Sequence, residues 1–312
     1  MNQKSYDVVI IGAGIVGSMV ARELSKYQLS VAVLEKEADV GMGQSTSNSA
    51  IIHSGHDPEP GTMKARMNVR GNELWYQIAP ELDIPLVNTG ALIVAVGAEE
   101  QAGLQPLLER GRENGVKGLE ILTREQVLEM EPHLSPDVTG ALSTPTAGVV
   151  DAFQGVLGAA ENAATNGVEF ILNAEVRGAV VEDGVLKAVE TTQGRVAATW
   201  FINAAGVHSD EILHMAGDRP EFEITARRGE YFVFDDSKFR VNNVLFPMPS
   251  EKGKGILVTT TTHGNTMVGP NSDSISDKED HAVTEHGMHE ILHGATKLVP
   301  SVSPRDVIAT FA

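Results

Sequence analysis

Residues 6–11 (YDVVII) form an apolar, β-branched run that ends in glycines. Such a run predicts a strand buried on both faces, as in a parallel sheet. Over residues 15–27 the apolar positions Val16, Met19, Val20 and Leu24 recur at helical spacing, and residues 30–34 (SVAVL) predict a second strand. Residues 41–61 crowd Gly, Ser, Thr, Asn, His and Pro together without periodicity, a loop, and residues 61–83 return to a helical pattern. A strand over 90–96 and a polar helix over 99–114 follow. Thr123 with Gln126 three residues later predicts a capping box opening a short helix over 123–131. Asp151 can cap a further helix running to residue 166. Between 168 and 203 three or four strands are expected, joined by hairpin turns at Asp183-Gly184 and Gln193-Gly194. Strands over 227–234, 254–262 and 266–269, a helix over 279–298 and a final strand over 308–312 complete the pattern.

The motif between the first strand and helix adds chemistry to this frame. Gly12-Ala13-Gly14-Ile15-Val16-Gly17 fits G-x-G-x-x-G, with Glu35 eighteen residues beyond Gly17 at the end of the second strand. The first glycine permits a tight turn, the second lets backbone approach a pyrophosphate, and the third allows close helix–strand packing. The helix N-terminus favours the negative charge. A carboxylate at Glu35 accepts hydrogen bonds from a ribose diol. Strand, glycines, helix, strand and acid in register predict a dinucleotide site; the plainer alternative is a glycine turn beside a solvated acid.

Composition narrows the function. The chain has 312 residues, 42% of them apolar and 21% charged, which is ordinary for a globular protein with ample core. A net charge of -18 argues against nucleic acid and anionic membrane surfaces, and an anionic substrate would need a local Arg or Lys. With no cysteine, disulfides, thiolate metal sites, iron–sulfur ligation and thiol catalysis are excluded within the chain. No apolar stretch is long enough to span a membrane and no signal core precedes the first strand, so the expected location is cytoplasmic.

The loop after the second strand, Glu35-Lys36-Glu37 and Gly41-Met42-Gly43-Gln44-Ser45-Thr46-Ser47-Asn48-Ser49, resembles that of the D-amino-acid-oxidase-like superfamily of FAD oxidoreductases. Ile202-Asn203-Ala204-Ala205-Gly206-Val207-His208-Ser209-Asp210 resembles the superfamily's second flavin motif. The resemblance implies non-covalent FAD held by Gly12, Gly14, Ile15, Gly17, Glu35, Ser45, Thr46, Ser47, Asn48, Ser49, Ala205 and Gly206. It also implies a backbone contact from Val176 to the adenine. The fold it implies is α/β, a Rossmann-like FAD-binding domain (1–90 with 140–220) and an interleaved antiparallel-sheet substrate domain (91–139 with 221–312). Members of the family continue past the position of residue 312.

Ile51-Ile52-His53-Ser54-Gly55-His56-Asp57-Pro58, Arg228-Gly229-Glu230-Tyr231 and Lys252-Gly253-Lys254-Gly255 are similar to one branch. It holds 2-hydroxyglutarate oxidases and dehydrogenases and the shorter glycerol-3-phosphate oxidases. The resemblance implies that His53 lies over the flavin and that Ser49 and Lys254 line the pocket of a small substrate. A neutral imidazole suits the removal of a hydroxyl proton while hydride leaves carbon. An electron acceptor, whether oxygen, a quinone or a protein, is then required. Amine oxidation of the sarcosine or glycine type, and a flavin-binding electron-transfer subunit, are the competing readings.

Other residues read more plainly. A loop histidine bonded to its own backbone remains an alternative for His53, and a surface lysine for Lys254. Arg227 and Arg228 could also hold an acid group, while Glu230 reads as structural and His56 and His208 as bland. His286, His289 and His293 share one helix face near His281, but with no carboxylate partner evident they read as solvated, and no metal site is expected.

Overall fold

The computed structural model describes residues 4–219, 221–249 and 255–312. The chain opens with β1 (Lys4–Ile11), α1 (Ile15–Leu24), β2 (Val31–Leu34), β3 (Ile51–Ile52), α2 (Met63–Glu81), β4 (Leu86–Val87) and β5 (Ala91–Val96). It continues through α3 (Gly97–Glu113), β6 (Glu120–Thr123), α4 (Arg124–Met130), β7 (Val138–Thr144), β8 (Gly148–Val150) and α5 (Ala152–Thr165). Four strands follow, β9 (Glu169–Ile171), β10 (Val176–Glu182), β11 (Val185–Thr191) and β12 (Gly194–Asn203), then α6 (Ser209–Met215). The last part holds β13 (Ala226–Arg228), β14 (Tyr231–Phe234), β15 (Val244–Pro247), β16 (Leu257–Thr260), β17 (Thr266–Gly269) and β18 (Asp273–Ile275). It ends with α7 (Glu285–Leu298) and β19 (Val307–Phe311).

Two compact units share this chain. The first comprises Met1–Asn48, Ala152–Ala226 and Ser274–Glu279. Its six strands run in the order β10-β11-β12-β1-β2-β9, with β1 parallel to both β2 and β12 and β2 parallel to β9. The apolar run of β1 is buried on both sides, as its sequence predicts. Val8 and Ile10 pack with Ala21 of α1 and Ala163 of α5, and Val9 and Ile11 with Val176, Val189 and Val196. The first hairpin turn forms where expected: Asp183 and Gly184 both have positive φ, 51° and 74°, as a turn matched to strand twist requires. The second falls one residue early, at Thr192-Gln193, because Gly194 already pairs with Thr191 as the first residue of β12. The segment Ser274–Glu279 is tied to this unit by Lys278, which donates to Asp210 at 2.8 Å and Glu211 at 2.9 Å.

The second unit comprises Ser49–Asp151, Arg227–Asp273 and Asp280–Ala312. Its large sheet runs β19-β14-β17-β16-β15-β5-β7-β6, antiparallel except where β15 lies parallel to β5. One face packs on α4 and α7 through Val127, Ile291, Ala295 and Leu298; the other packs on α3 through Leu104, Leu107 and Leu108. Phe232 and Phe234 are fully buried on the first face, each worth roughly 1.5–3 kcal/mol of transfer free energy. A small sheet, β3-β8-β4, packs with Trp75 and Ala79 of α2.

The division differs from the expected boundaries. Residues 49–90 and 140–151 group with the second unit, because β3, β4 and β5 find their partners in β8, β7 and β15. The last helix starts at Glu285 instead of 279, since Thr284 caps it by accepting the Gly287 N–H at 3.0 Å. The capping box at Thr123 and Gln126 is present with both bonds.

Candidate functional site

In the first unit β1 ends at Ile11 and the chain turns at Gly12, whose φ of 102° lies where only glycine is unstrained. A Cβ on Gly12 would stand 2.4 Å from the Ala204 carbonyl oxygen, and one on Gly17 only 1.9 Å from the Gly12 oxygen. These two glycines therefore serve the close approach of chain to chain. The second, Gly14, faces a hydroxyl: a Cβ there would stand 2.9 Å from Ser45 Oγ. Helix α1 then opens at Ile15, whose N–H donates to that same Oγ at 2.9 Å. A helix N-terminus with its N–H groups directed outward favours an anion, and Ser45 marks the place where one would bind.

Glu35, directly after β2, is 9% exposed. Its carboxylate accepts the N–H of Ala13 at 2.7 Å and of Glu37 at 3.0 Å. A carboxylate offers about four acceptor sites, so capacity remains for ribose hydroxyls. The carbonyls of Glu35 and Glu37 accept from Ala174 and Asn173 at 2.7 and 2.9 Å, which runs the approach to Val176 and β10 alongside the acid. Ala205 and Gly206 follow β12; Asn203 Oδ1 accepts the Ala205 N–H at 3.2 Å, and Gly206 has a φ of 59°. Thr46 donates to the Gly41 carbonyl at 2.7 Å, and Asn48 to the carbonyls of Gln44 and Ser45 at 2.9 Å each. Those two side chains hold the loop itself. Ser47 is half-buried. A glycine cradle, an N-terminal anion site and a buried acid with spare acceptors fit the diphosphate and ribose of a dinucleotide.

In the second unit Ser49 hydrogen-bonds Tyr231, whose hydroxyl burial pushes up to about 12 while Ser49 pulls it back. Tyr231 stacks on Phe311 with ring centroids 4.9 Å apart. His53 follows β3, half-buried, its ring centroid 5.7 Å from that of Phe246. Its carbonyl accepts from Asn72 Nδ2 at 3.1 Å, and the same amide reaches the Thr146 carbonyl at 2.8 Å. His56 is buried, 3.0 Å from Ser54 Oγ through Nδ1, and lines a cleft with Asp57, Ile93, Phe246, Pro247 and Pro249. Its sequence surroundings gave no sign of this, and the supports Asn72 and Phe246 come from α2 and the distant strand β15.

Lys254 lies outside the described residues. Arg228 is engaged within its own unit, 2.6 Å from Asp280 and 3.4 Å from Glu230. Glu230 is structural as expected: fully buried, it accepts the Thr284 N–H at 2.7 Å and hydroxyl at 2.9 Å. His208 sits between Glu211 and Glu279 at 3.0 and 2.8 Å.

A family model described as FAD dependent oxidoreductase matches residues 7–312. The glycerol 3-phosphate dehydrogenase of Caloramator mitchellensis is 39% identical over 308 residues, covering 98% of this chain and 64% of that protein. The mitochondrial L-2-hydroxyglutarate dehydrogenase of Homo sapiens is 33% identical over 86% of this chain and 61% of its own length. The chain thus spans less than two thirds of either relative. Among solved structures, the dithionite-reduced L-alpha-glycerophosphate oxidase of Mycoplasma pneumoniae with FAD bound superposes with a TM-score of 0.92. It is 29% identical and covers 99% of this chain and 82% of that one. With the glycine cradle, the buried acid Glu35 and a match along nearly its whole length, the chain belongs to the family of FAD dependent oxidoreductases.

Proposed function

We propose that the protein oxidises a small hydroxy acid or glycerol 3-phosphate with non-covalently bound FAD, and that His53 takes the hydroxyl proton. The observation that carries this reading is the setting of His53. It is a half-buried imidazole whose backbone is held by Asn72 and whose ring lies near Phe246, in a chain related to a glycerol 3-phosphate dehydrogenase and an L-2-hydroxyglutarate dehydrogenase.

Bound FAD supplies the two-electron acceptor for hydride. In this reading Gly12, Gly14, Ile15, Gly17 and Ser45 hold the diphosphate, Glu35 the ribose and Val176 the adenine through its backbone. Thr46, Ser47 and Asn48 shape the loop along the cofactor, and Ala205 and Gly206 leave room for its approach. A neutral His53 accepts the proton as the carbon–oxygen bond becomes a carbonyl. Ser49, oriented by Tyr231, offers a hydroxyl to the substrate. Lys254 supplies the point charge opposite a carboxylate or phosphate.

Anaerobic mixing of the holoprotein with candidate substrates tests the assignment. L-2-Hydroxyglutarate or glycerol 3-phosphate should bleach the flavin, and sarcosine and glycine should not; bleaching by an amine alone would overturn the alcohol reading. Reduction should rise with pH through an apparent pKa near ~6–7.5, and His53→Asn should keep FAD yet slow reduction by ~10²–10⁴-fold. A variant that reduces at the wild-type rate would remove His53 from the chemistry. Readmitting oxygen, a quinone or a partner protein to the bleached enzyme identifies the electron acceptor.

A further inference from the structure

The helical histidine face gains from the fold what the sequence alone withheld, a carboxylate from another element. His286 and Glu290 stand one turn apart on α7, and Asp273 opens β18. One ligand atom from each of the three side chains lies within 4.8 Å of the others. His286 and Glu290 are exposed and Asp273 is half-buried, so an ion from solvent can reach them.

Two features make this more than a chance meeting of surface charges. The helix is fixed beneath the site, with Ile291, Ala295 and Leu298 in the core and Thr284 and Glu230 holding its first turn. Asp273 is also oriented from behind. The buried Asn271 donates through Nδ2 to Asp273 Oδ2 at 3.2 Å, while its own Oδ1 accepts the Glu230 N–H at 2.8 Å. A hydrogen bond of this kind fixes a carboxylate's direction while leaving lone pairs for a cation, the arrangement found behind metal ligands.

We propose that Asp273, His286 and Glu290 bind a divalent transition-metal ion of the Zn2+ type and thereby tie α7 to Asp273. One imidazole nitrogen and two carboxylate oxygens suit Zn2+ and its first-row neighbours, whereas Mg2+ and Ca2+ prefer all-oxygen sites. Three protein ligands leave a fourth tetrahedral position for water. The ion also relieves the repulsion between the two acids, in a chain whose net charge of -18 concentrates cations at its surface.

Calorimetric titration of Zn2+ into metal-stripped flavoprotein tests the site. The expected result is one saturable ion per chain, undisturbed by excess Mg2+. His286→Ala, Asp273→Asn and Glu290→Gln should each weaken it at least ~10-fold, while His289→Ala and His293→Ala leave it unchanged. Zn2+ should raise the melting temperature of the wild type and not that of His286→Ala, since it binds the native arrangement alone. Glu290 is exposed, so Glu290→Gln keeps the test decisive should the other substitutions disturb folding. Absence of a saturable site, or full-affinity binding in His286→Ala and Glu290→Gln, would overturn the proposal, as would equal loss in His293→Ala.

Discussion

Glu35 accepts the N–H of Ala13 in the glycine loop and of Glu37, and its carboxylate keeps the further acceptor capacity that the proposed ribose contact requires. Glu35→Ala should therefore weaken FAD binding by roughly 1.5–3 kcal/mol for each charged hydrogen bond lost, and Glu35→Gln by less. Titrating apoprotein with FAD measures this, and unchanged affinity in Glu35→Ala would detach the acid from the ribose. Glu131 presents the opposite case. It is fully buried, burial raises its carboxyl to about 7, and only one oxygen is bonded, accepting from Asn242 and Asn243. The folded state then holds a proton that the unfolded state has released. Stability should fall as pH rises from about 4.5 to about 7, by on the order of 3 kcal/mol, and then level off. Glu131→Gln should flatten that part of the profile in thermal melts, and an identical slope would exonerate Glu131. Residues of the first kind were legible because glycine spacing, helix start and acid lie within one βαβ unit. Glu131, Asn72 and the Asp273–His286–Glu290 group were not, since each depends on neighbours far away in sequence.

Among the elements, α7 carries a conflict between propensity and packing. Replacing an interior helical glycine by alanine ordinarily stabilises by up to ~1 kcal/mol. At Gly287 a Cβ would stand 2.4 Å from the buried carboxyl of Glu230, and crowding of that order costs roughly 1–3 kcal/mol. Packing wins, so Gly287→Ala should lower the melting temperature; a rise would show that Glu230 can give way. The hairpin at Asp183-Gly184, the second hairpin to within one residue, and the capping box at Thr123 were readable because turn and cap chemistry is local. The order of the eight-stranded sheet was not. The parallel pairing of β15 with β5 joins residues about 150 positions apart, and the two-residue strand that presents His53 is too short for any periodicity. The late start of α7 had the same origin: Glu279 and Asp280 are occupied by ion pairs with Lys36 and Arg228 before the helix begins.

At the scale of the whole molecule, charge is the dominant legible property. A net charge of -18 makes self-repulsion a general cost, opposed by scattered surface ion pairs that are individually weak. Raising salt from roughly 10 mM to 150 mM shortens the screening length from about 30 Å to about 8 Å. The melting temperature should therefore rise over that range, and a fall would mean that the ion pairs outweigh the net repulsion. Among the described residues no helix is long and apolar enough to cross a membrane.

Strand β1 leaves the ribosome long before β12, which flanks it in parallel and begins only at Gly194. At ordinary elongation rates of about 5–20 residues per second, β1 waits roughly 10–40 s for that neighbour. During this interval one edge of an apolar, β-branched strand stands open, the kind of surface that recruits other chains. β2 covers only the opposite edge, so a holding factor at the tunnel exit would be needed to shelter this one. Nascent chains arrested before Asn203 should accordingly leave residues 6–11 open to protease, and protection should appear once β12 has emerged.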